Sequence, residues 1–305
     1  MKPRVAVIVL NYNGAKDTIE CLNSLIKVNY PNFEIIVVDN KSTDDSWAQI
    51  QGWITPHPSP LTPHPFSLIQ SGSNRGYAAG NNAGIRQALD NGADYVWILN
   101  NDTIVDSNCL KFLIETAESD PKTGMVGATT YYYDQPDKIQ CLAGGYINRW
   151  LGTSRFALPP KKSSAPDNLL STIYYLLSPL DYINGACILA KTAMIRDIGL
   201  LDERFFLYWE DTDWSFRARG AGWRLAWSPK AVIRHKEGGL AKTTATFMDY
   251  HHAKSALVFF SKYPQASRFS NPAILITTKL LSRLLRGQYK KLRAVSQAAA
   301  DRVNS

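Results

Sequence analysis

Apolar and β-branched residues run through 5–10 without a polar interruption, the pattern of a strand buried on both faces. Residues 15–27 then place Ile19, Leu22, Leu25 and Ile26 on one side and predict a helix. A second buried strand is predicted over 34–38, and a helix over 42–50 with Ser42 as its cap. A third strand over 67–70, a helix over 80–91 and a fourth strand over 95–99 complete the series. Alternation of this kind predicts a mostly parallel sheet with helices on both faces. Ligands in such sheets collect beyond the carboxyl ends of the strands. Asn11, Asp39 and Asn100-Asn101-Asp102 all fall there.

After Asp102 the rhythm changes. A helix is predicted over 107–119 and a strand over 125–133. Residues 134–178, rich in Gly, Pro, Ser and Lys, read as loop. A strand over 182–190, a helix over 210–220, short strands around Ser228-Pro229 and helices over 247–262 and 272–297 follow. Residues 55–66 hold five prolines with His57 and His64, a surface insertion in extended conformation. No carboxylate or cysteine accompanies those histidines, so packing is favoured over a metal site.

The length of 305 residues suits one large domain or two, and 45% hydrophobic with 20% charged residues excludes whole-chain disorder. Cys21, Cys109, Cys141 and Cys187 form no CxxC pair, so free thiols in a reducing compartment are expected. The net charge of +8 resides in residues 262–305, where nine Lys and Arg face Asp301 alone. The remaining 25 bases and 25 acids cancel, which argues against nucleic acid as a partner. Lys279, Arg283, Arg286, Lys290 and Arg293 recur every three or four positions beside Leu281, Leu284, Leu285, Leu292 and Val295. That predicts a basic amphipathic helix suited to an anionic membrane surface. No run of eighteen apolar residues occurs, and the run at 5–10 is too short for a signal-peptide core. The expected location is cytoplasmic, peripheral at the inner face of the membrane.

Four polar clusters carry candidate chemistry. Asp39 at a strand end accepts hydrogen bonds from a base or ribose, or else caps the next helix. Asn100-Asn101-Asp102-Thr103 suits a hard divalent cation or a helix-initiating turn. Glu210-Asp211-Thr212-Asp213 follows the aromatic stretch 205–209. It reads either as acids suited to a helix dipole or as a general base desolvated by an aromatic wall. Asp213 and Arg217, at i and i+4, form a supporting ion pair. His235 precedes Gly238-Gly239, whose backbone freedom tilts a usually structural residue toward function.

Taken in order, these residues resemble the family 2 glycosyltransferases, in their bacterial rhamnosyltransferase-like branch. The opening Val-Ile-Val-Leu-Asn-Tyr-Asn-Gly and Ile-Ile-Val-Val-Asp-Asn-Lys-Ser-Thr-Asp are similar to that family's nucleotide-binding start. Asn74-Arg75-Gly76-Tyr77-Ala78-Ala79-Gly80-Asn81-Asn82 resembles its glycine-rich segment, and Leu99-Asn100-Asn101-Asp102-Thr103 stands in place of its DxD motif. Asn184-Gly185-Ala186-Cys187, residues 206–217 and Ser228-Pro229 through His235 complete a resemblance over roughly 4–262. Two departures stand out: an amide at the first DxD position and the Pro/His insertion.

The resemblance implies a GT-A fold, with a Rossmann-like nucleotide-binding half over 1–103, an acceptor and catalytic half over 104–262, and a basic helical tail over 263–305. It implies inverting transfer from a dTDP- or UDP-sugar, with rhamnose favoured, to a glycan or lipid-linked acceptor. Donor contacts then fall to Asn11, Asn13, Asp39, Arg75, Gly76, Asn101 and Asp102. Asp102 and His235 hold Mn2+ or Mg2+, Asp211 is the base with Glu210 the alternative, and Gly185, Ala186 and Trp209 lie on the acceptor side. A non-catalytic nucleotide-sugar-binding protein is the competing reading, kept open by the missing first carboxylate. A nucleotidyltransferase would need a glycine- and base-rich phosphate loop, which 11–16 does not supply.

Overall fold

A computed structural model describes residues 2–56, 64–148, 150, 153–159, 179–236, 245–266 and 272–303. Most of the Pro/His insertion and Gly238-Gly239 lie outside the described residues. The first half contains β1 (Val5–Asn11), α1 (Ala15–Leu25), β2 (Phe33–Asp39), α2 (Ser46–Ile54), β3 (Phe66–Gln70), α3 (Gly76–Asp90) and β4 (Tyr95–Asn100). These four strands are parallel, in the order β3-β2-β1-β4. Alternate side chains explain the unbroken apolar runs. Val5, Val7, Val9, Ile35, Val37, Trp97 and Leu99 enter one core, while Ala6, Ile8, Ile36, Val38, Val96 and Ile98 enter the other.

The second half adds β5 (Thr103–Val105), α4 (Cys109–Glu118), β6 (Thr123–Tyr132), β7 (Ile139–Leu142), β8 (Gly144–Asn148), β9 (Thr153–Phe156), β10 (Tyr182–Ile183), β11 (Cys187–Lys191), α5 (Thr192–Ile198), α6 (Glu210–Gly220) and β12 (Arg224–His235). The main sheet continues β4-β11-β6-β12-β5, with β7 beside β6, and its pairing becomes mixed. β11 runs antiparallel to β4 and β6, whereas β12 runs parallel to β6. A small antiparallel sheet, β10-β8-β9, stands apart. The chain ends in α7 (Ala245–Lys262), α8 (Pro272–Leu285) and α9 (Tyr289–Val303).

Several expectations are corrected. The segment read as loop over 134–178 contains β7, β8 and β9, each too short for its alternation to stand out. The strand expected over 182–190 divides at Asn184-Gly185-Ala186, where Asn184 Oδ1 accepts the Ala186 N–H at 2.8 Å. β12 is one strand, with a register shift between Ser228 and Val232 around Pro229, which has no N–H to give. Ser42 caps no helix. Asp39 accepts its N–H at 3.0 Å and its hydroxyl at 2.5 Å, and α2 starts only at Ser46. His64 is buried and stacked on Phe33, with ring centroids 3.7 Å apart, which is a packing role.

The expected single C-terminal helix is two. Gly287 takes φ +64, and the N–H groups of Gly287 and Gln288 turn back to Leu284 and Arg283 carbonyls. The basic stripe divides with it. Lys279 Nζ lies 2.9 Å from His252 Nδ1 and Arg283 bonds Asp249 at 2.8 Å, both on α7. Arg286, Lys290 and Arg293 remain exposed. Among the described residues no helix is long and apolar enough to cross a membrane.

One junction ties the halves together. Gly76 begins α3 with φ +93, and a Cβ there would sit 2.2 Å from the Phe206 carbonyl oxygen. The Tyr77 N–H donates to that same oxygen at 2.7 Å. Gly76→Ala therefore combines a left-handed strain with a backbone clash. It is expected to lower stability by roughly 2–5 kcal/mol in urea denaturation; a loss below about 1 kcal/mol would show that the junction yields freely.

Candidate active site

The carboxyl ends of β1 and β2 carry the first polar cluster. Asn11 and Asp39 face each other in register, both fully buried. Asn11 Nδ2 donates to Asp39 Oδ1 at 2.8 Å, and Asn11 Oδ1 accepts the Thr18 hydroxyl at 2.8 Å. Asp39 thus holds the 39–42 turn while its carboxylate stays ordered. Asn13, at φ +51, receives the Thr43 N–H on its Oδ1 at 2.8 Å. The three residues come together as the sequence suggests. Arg75 lies at the start of α3, but its guanidinium is exposed and paired with Glu203 at 2.8 Å. Glu203 also binds Arg86 and Asn82, a brace the sequence does not announce.

The end of β4 brings the second cluster. Asn101 Nδ2 donates to the Thr18 hydroxyl at 3.0 Å, tying this turn to Asn11. Asp102 is buried, and its Oδ1 lies 3.1 Å from His235 Nε2. His235 pairs in register with Thr103 across β12 and β5, and its Nδ1 lies 3.0 Å from Gln140 Oε1. The Asp102 carbonyl accepts the Lys236 N–H at 3.0 Å. Among the described residues no three His, Cys, Asp or Glu gather at metal-ligand spacing. The Asp102–His235 pair nevertheless offers two donors, and Asn100 Oδ1 is buried with no hydrogen-bond partner among the described residues. Oxygen and imidazole donors of this kind fit a divalent cation that draws its other ligands from phosphate and water.

The third cluster opens α6. Tyr208 and Trp209 both take the left-handed conformation, at φ +68 and +71. Such strain persists only where surroundings hold it. Here α7 does so: Ser255 donates to the Leu207 carbonyl at 2.8 Å, and Trp209 packs on Phe259 with centroids 5.0 Å apart. His252 lies against both Tyr208 and Trp209. The chain leaves this turn with Glu210 buried and Asp211 half-buried beside it. Asp211 Oδ2 accepts the Gly185 N–H at 2.9 Å, and Oδ1 accepts the Thr212 N–H at 2.6 Å and its hydroxyl at 3.1 Å. Burial raises the Asp211 carboxyl above its ordinary range, against those donors. Burial and then the Asp211 charge push Glu210 well above its own, and Glu210 Oε2 has no hydrogen-bond partner among the described residues.

The loop at Asn184-Gly185-Ala186 connects the clusters. The Ala186 carbonyl accepts the Asn100 N–H at 3.1 Å, and the Gly185 carbonyl accepts the Tyr77 hydroxyl at 2.8 Å. Tyr77, beside Gly76 in the glycine-rich segment, is the residue that sequence reasoning passed over. Gln140 was hidden in the stretch read as loop. Asp213 is fully buried and holds Arg217 at 2.9 Å, as its spacing predicts, together with Lys262 at 2.7 Å and Tyr263 at 2.9 Å.

The family model for glycosyl transferase family 2 matches residues 6–157. A low-salt glycan biosynthesis hexosyltransferase, Agl10 of Haloferax volcanii, is 26% identical over 226 residues, spanning 70% of this chain and 61% of that protein. The N-acetylglucosaminyl-diphospho-decaprenol L-rhamnosyltransferase of Mycobacterium tuberculosis is 25% identical over 269 residues, 84% of this chain and 83% of its own. Among solved structures, the mannosyltransferase PcManGT of Pyrobaculum calidifontis with GDP-Man and Mn2+ superposes at TM-score 0.61 and 18% identity, covering 100% of this chain and 76% of that one. TarS of S. aureus with UDP-GlcNAc gives 0.56 and 20%, covering 97% and 80%. The shared architecture is the GT-A fold.

The raised Glu210 carboxyl carries a stability consequence. Folding favours its protonated form, so that contribution is complete below the ordinary value of 4.5 and lost as pH rises through the folded value. Glu210→Gln removes the titration. The melting temperature of the variant relative to wild type should climb steadily from pH 4 to pH 8, taken here as round bounds about the ordinary range. A difference that is flat across that interval would mean Glu210 does not hold a proton in the folded chain.

Proposed function

We propose that this chain, which belongs to glycosyl transferase family 2, transfers a sugar with inversion from a nucleotide-diphosphate donor to a hydroxyl of a cell-surface or lipid-linked glycan. The observation that carries the reading is the Glu210–Asp211 pair at the start of α6, with Glu210 buried and Asp211 half-buried. Two adjacent desolvated carboxyls do not both ionise readily. Asp211 receives three hydrogen-bond donors and carries the charge; Glu210, with an unbonded oxygen, keeps its proton. Asp211 then accepts the proton of the acceptor hydroxyl as that oxygen attacks the anomeric carbon. The diphosphate departs from the opposite face, and one displacement inverts the centre.

Asn11, Asn13 and Asp39 hold the nucleotide, with the ordered Asp39 carboxylate accepting from base or ribose. Arg75, the backbone at Gly76 and Asn101 line the way to the diphosphate. Asp102 and His235 would hold Mn2+ or Mg2+, which supplies charge neutralisation for the leaving group. Gly185, Ala186 and Trp209 shape the acceptor side. The rhamnosyltransferase relative supports a rhamnose donor, dTDP-linked as the family resemblance implies, and the UDP-GlcNAc-bound neighbour keeps UDP-sugars next.

Asp211→Asn keeps the shape and removes proton acceptance. Transfer should fall by about 10²–10⁴-fold, with donor affinity by calorimetry essentially unchanged. Asp102→Ala should instead abolish the gain in donor affinity that Mn2+ provides. Wild-type turnover in Asp211→Asn across a panel of nucleotide sugars would refute the base.

An anionic membrane surface is the second part of the reading. The corner between α8 and α9 exposes Leu281, Leu284, Leu285 and Tyr289 at 51%, 50%, 85% and 68%, beside Arg286, Lys290 and Arg293. Apolar side chains ringed by bases suit the headgroup boundary at the cytoplasmic face. Replacing the three bases by Gln should reduce sedimentation with phosphatidylglycerol vesicles by roughly 100-fold at low salt, at about 1 kcal/mol for each base. A wild-type chain that ignores such vesicles would leave the corner without this role.

A further inference from the structure

We propose that Tyr77 is a positioning residue for the base: its hydroxyl holds the Gly185 carbonyl, which keeps the Gly185 N–H on the Asp211 carboxylate and fixes where that carboxylate stands. This rests on the reading of Asp211 as the base and adds to it the group that sets its geometry.

Tyr77 is the second residue of α3, and its backbone and its hydroxyl are engaged by two different elements. Its N–H donates to the Phe206 carbonyl at 2.7 Å, in the stretch that leads into α6. Its hydroxyl donates to the Gly185 carbonyl at 2.8 Å, in the loop after β10. Gly185 in turn gives its N–H to Asp211 Oδ2 at 2.9 Å. Both backbone polar groups of Gly185 are thus held by side chains, one from α3 and one from α6, and a glycine has no side chain of its own to anchor it. A Cβ placed on Gly185 would stand 3.4 Å from the Tyr77 hydroxyl oxygen and 3.5 Å from Asp211 Oδ2. Phenol and carboxylate therefore border the same small volume beside Gly185. Desolvation, and then the charges of Glu210, Asp211 and Asp102, push the phenol well above its usual value, so it keeps its proton and serves as a donor.

The rest of the loop is held without Tyr77. Asn184 Oδ1 accepts the Ala186 N–H at 2.8 Å, the Asn184 N–H reaches the Ala143 carbonyl at 2.9 Å, and the Ala186 carbonyl accepts the Asn100 N–H at 3.1 Å. Deleting the Tyr77 hydroxyl therefore leaves the loop in place and frees the Gly185 backbone to turn. Asp211 then loses its alignment with the attacking oxygen while the chain keeps its fold. A displacement of about 1 Å at a reacting group can cost roughly 100-fold in rate.

Tyr77→Phe tests this, because it keeps the ring and removes only the hydroxyl. With glycine-selective 15N labelling, the Gly185 amide is identified by its loss in Gly185→Ala. Its proton should lie downfield in wild type, as a donor to a carboxylate does. In Tyr77→Phe it should move upfield and exchange with solvent roughly 10-fold faster or more. Release of nucleoside diphosphate from UDP-, dTDP- and GDP-sugars with Mn2+ should fall by roughly 10–100-fold in kcat, with KM for the donor unchanged. The melting temperature should drop by only a few degrees. An unmoved Gly185 amide overturns the proposal, as does a moved amide with full turnover. A collapsed melting temperature overturns it too, since Tyr77 would then serve the fold. If wild type releases no diphosphate from any of these sugars, the transferase reading falls and takes the base with it, whereas the amide still reports whether Tyr77 holds the Gly185 donor.

Discussion

Burying Glu210 next to Asp211 would be prohibitively unfavourable if both side chains had to ionise without help, and much of the second half of the molecule is arranged to avoid this. Asp211 is solvated by backbone: the Gly185 N–H from the loop after β10 and the Thr212 N–H of its own helix. The helix N-terminus adds a favourable field. Among the described residues Glu210 has no such donor on Oε2, and burial with the Asp211 charge raises its carboxyl well above the ordinary range. The two adjacent acids thus differ because of where the donors are, as in other sites where environment separates paired carboxyls.

That arrangement demands an unusual approach to the helix. Two successive non-glycine residues in the left-handed region, Tyr208 and Trp209, aim the first turn of α6 inward. The strain is carried by α7, through Ser255 on the Leu207 carbonyl and a stack of rings around Trp209. From the other side α3 closes in, since Gly76 lets its backbone reach the Phe206 carbonyl. Tyr77 then spans from that helix to the Gly185 carbonyl. α3, the loop after β10 and the turn before α6 are therefore coupled through hydrogen bonds to backbone atoms, which no side-chain substitution can easily replace.

Which features the sequence makes legible follows from range. β1 and β2 are readable because burial on both faces leaves only apolar residues, and their polar ends mark the ligand side. Asp39, Asp102, Glu210 and Asp211 stand out as acids beside apolar or aromatic runs. The start of α2 is misread because Ser42 has the right chemistry for a cap, but Asp39, three residues earlier, captures it. Tyr77, Gln140 and Ser255 escape because their partners lie 108, 95 and 48 positions away. The strands β7, β8 and β9 escape because four or five residues are too few for alternation to register.

The C-terminal charge shows how far a pattern can mislead about placement. Spacing alone makes Lys279 and Arg283 equivalent to Arg286 and Lys290. Gly287 breaks the helix between them, and the two halves meet different surroundings. Lys279 is taken against His252, and burial lowers its ammonium to about 8. Arg283 finds Asp249. Both contacts are made to α7, whose His252 packs on Trp209, immediately before Glu210. The inner bases of α8 consequently belong to the support of the turn before Glu210, while Arg286, Lys290 and Arg293 remain exposed. A substitution that neutralises the whole stripe would confound these two roles. Changes confined to the exposed corner separate them, because the pairs with α7 stay intact.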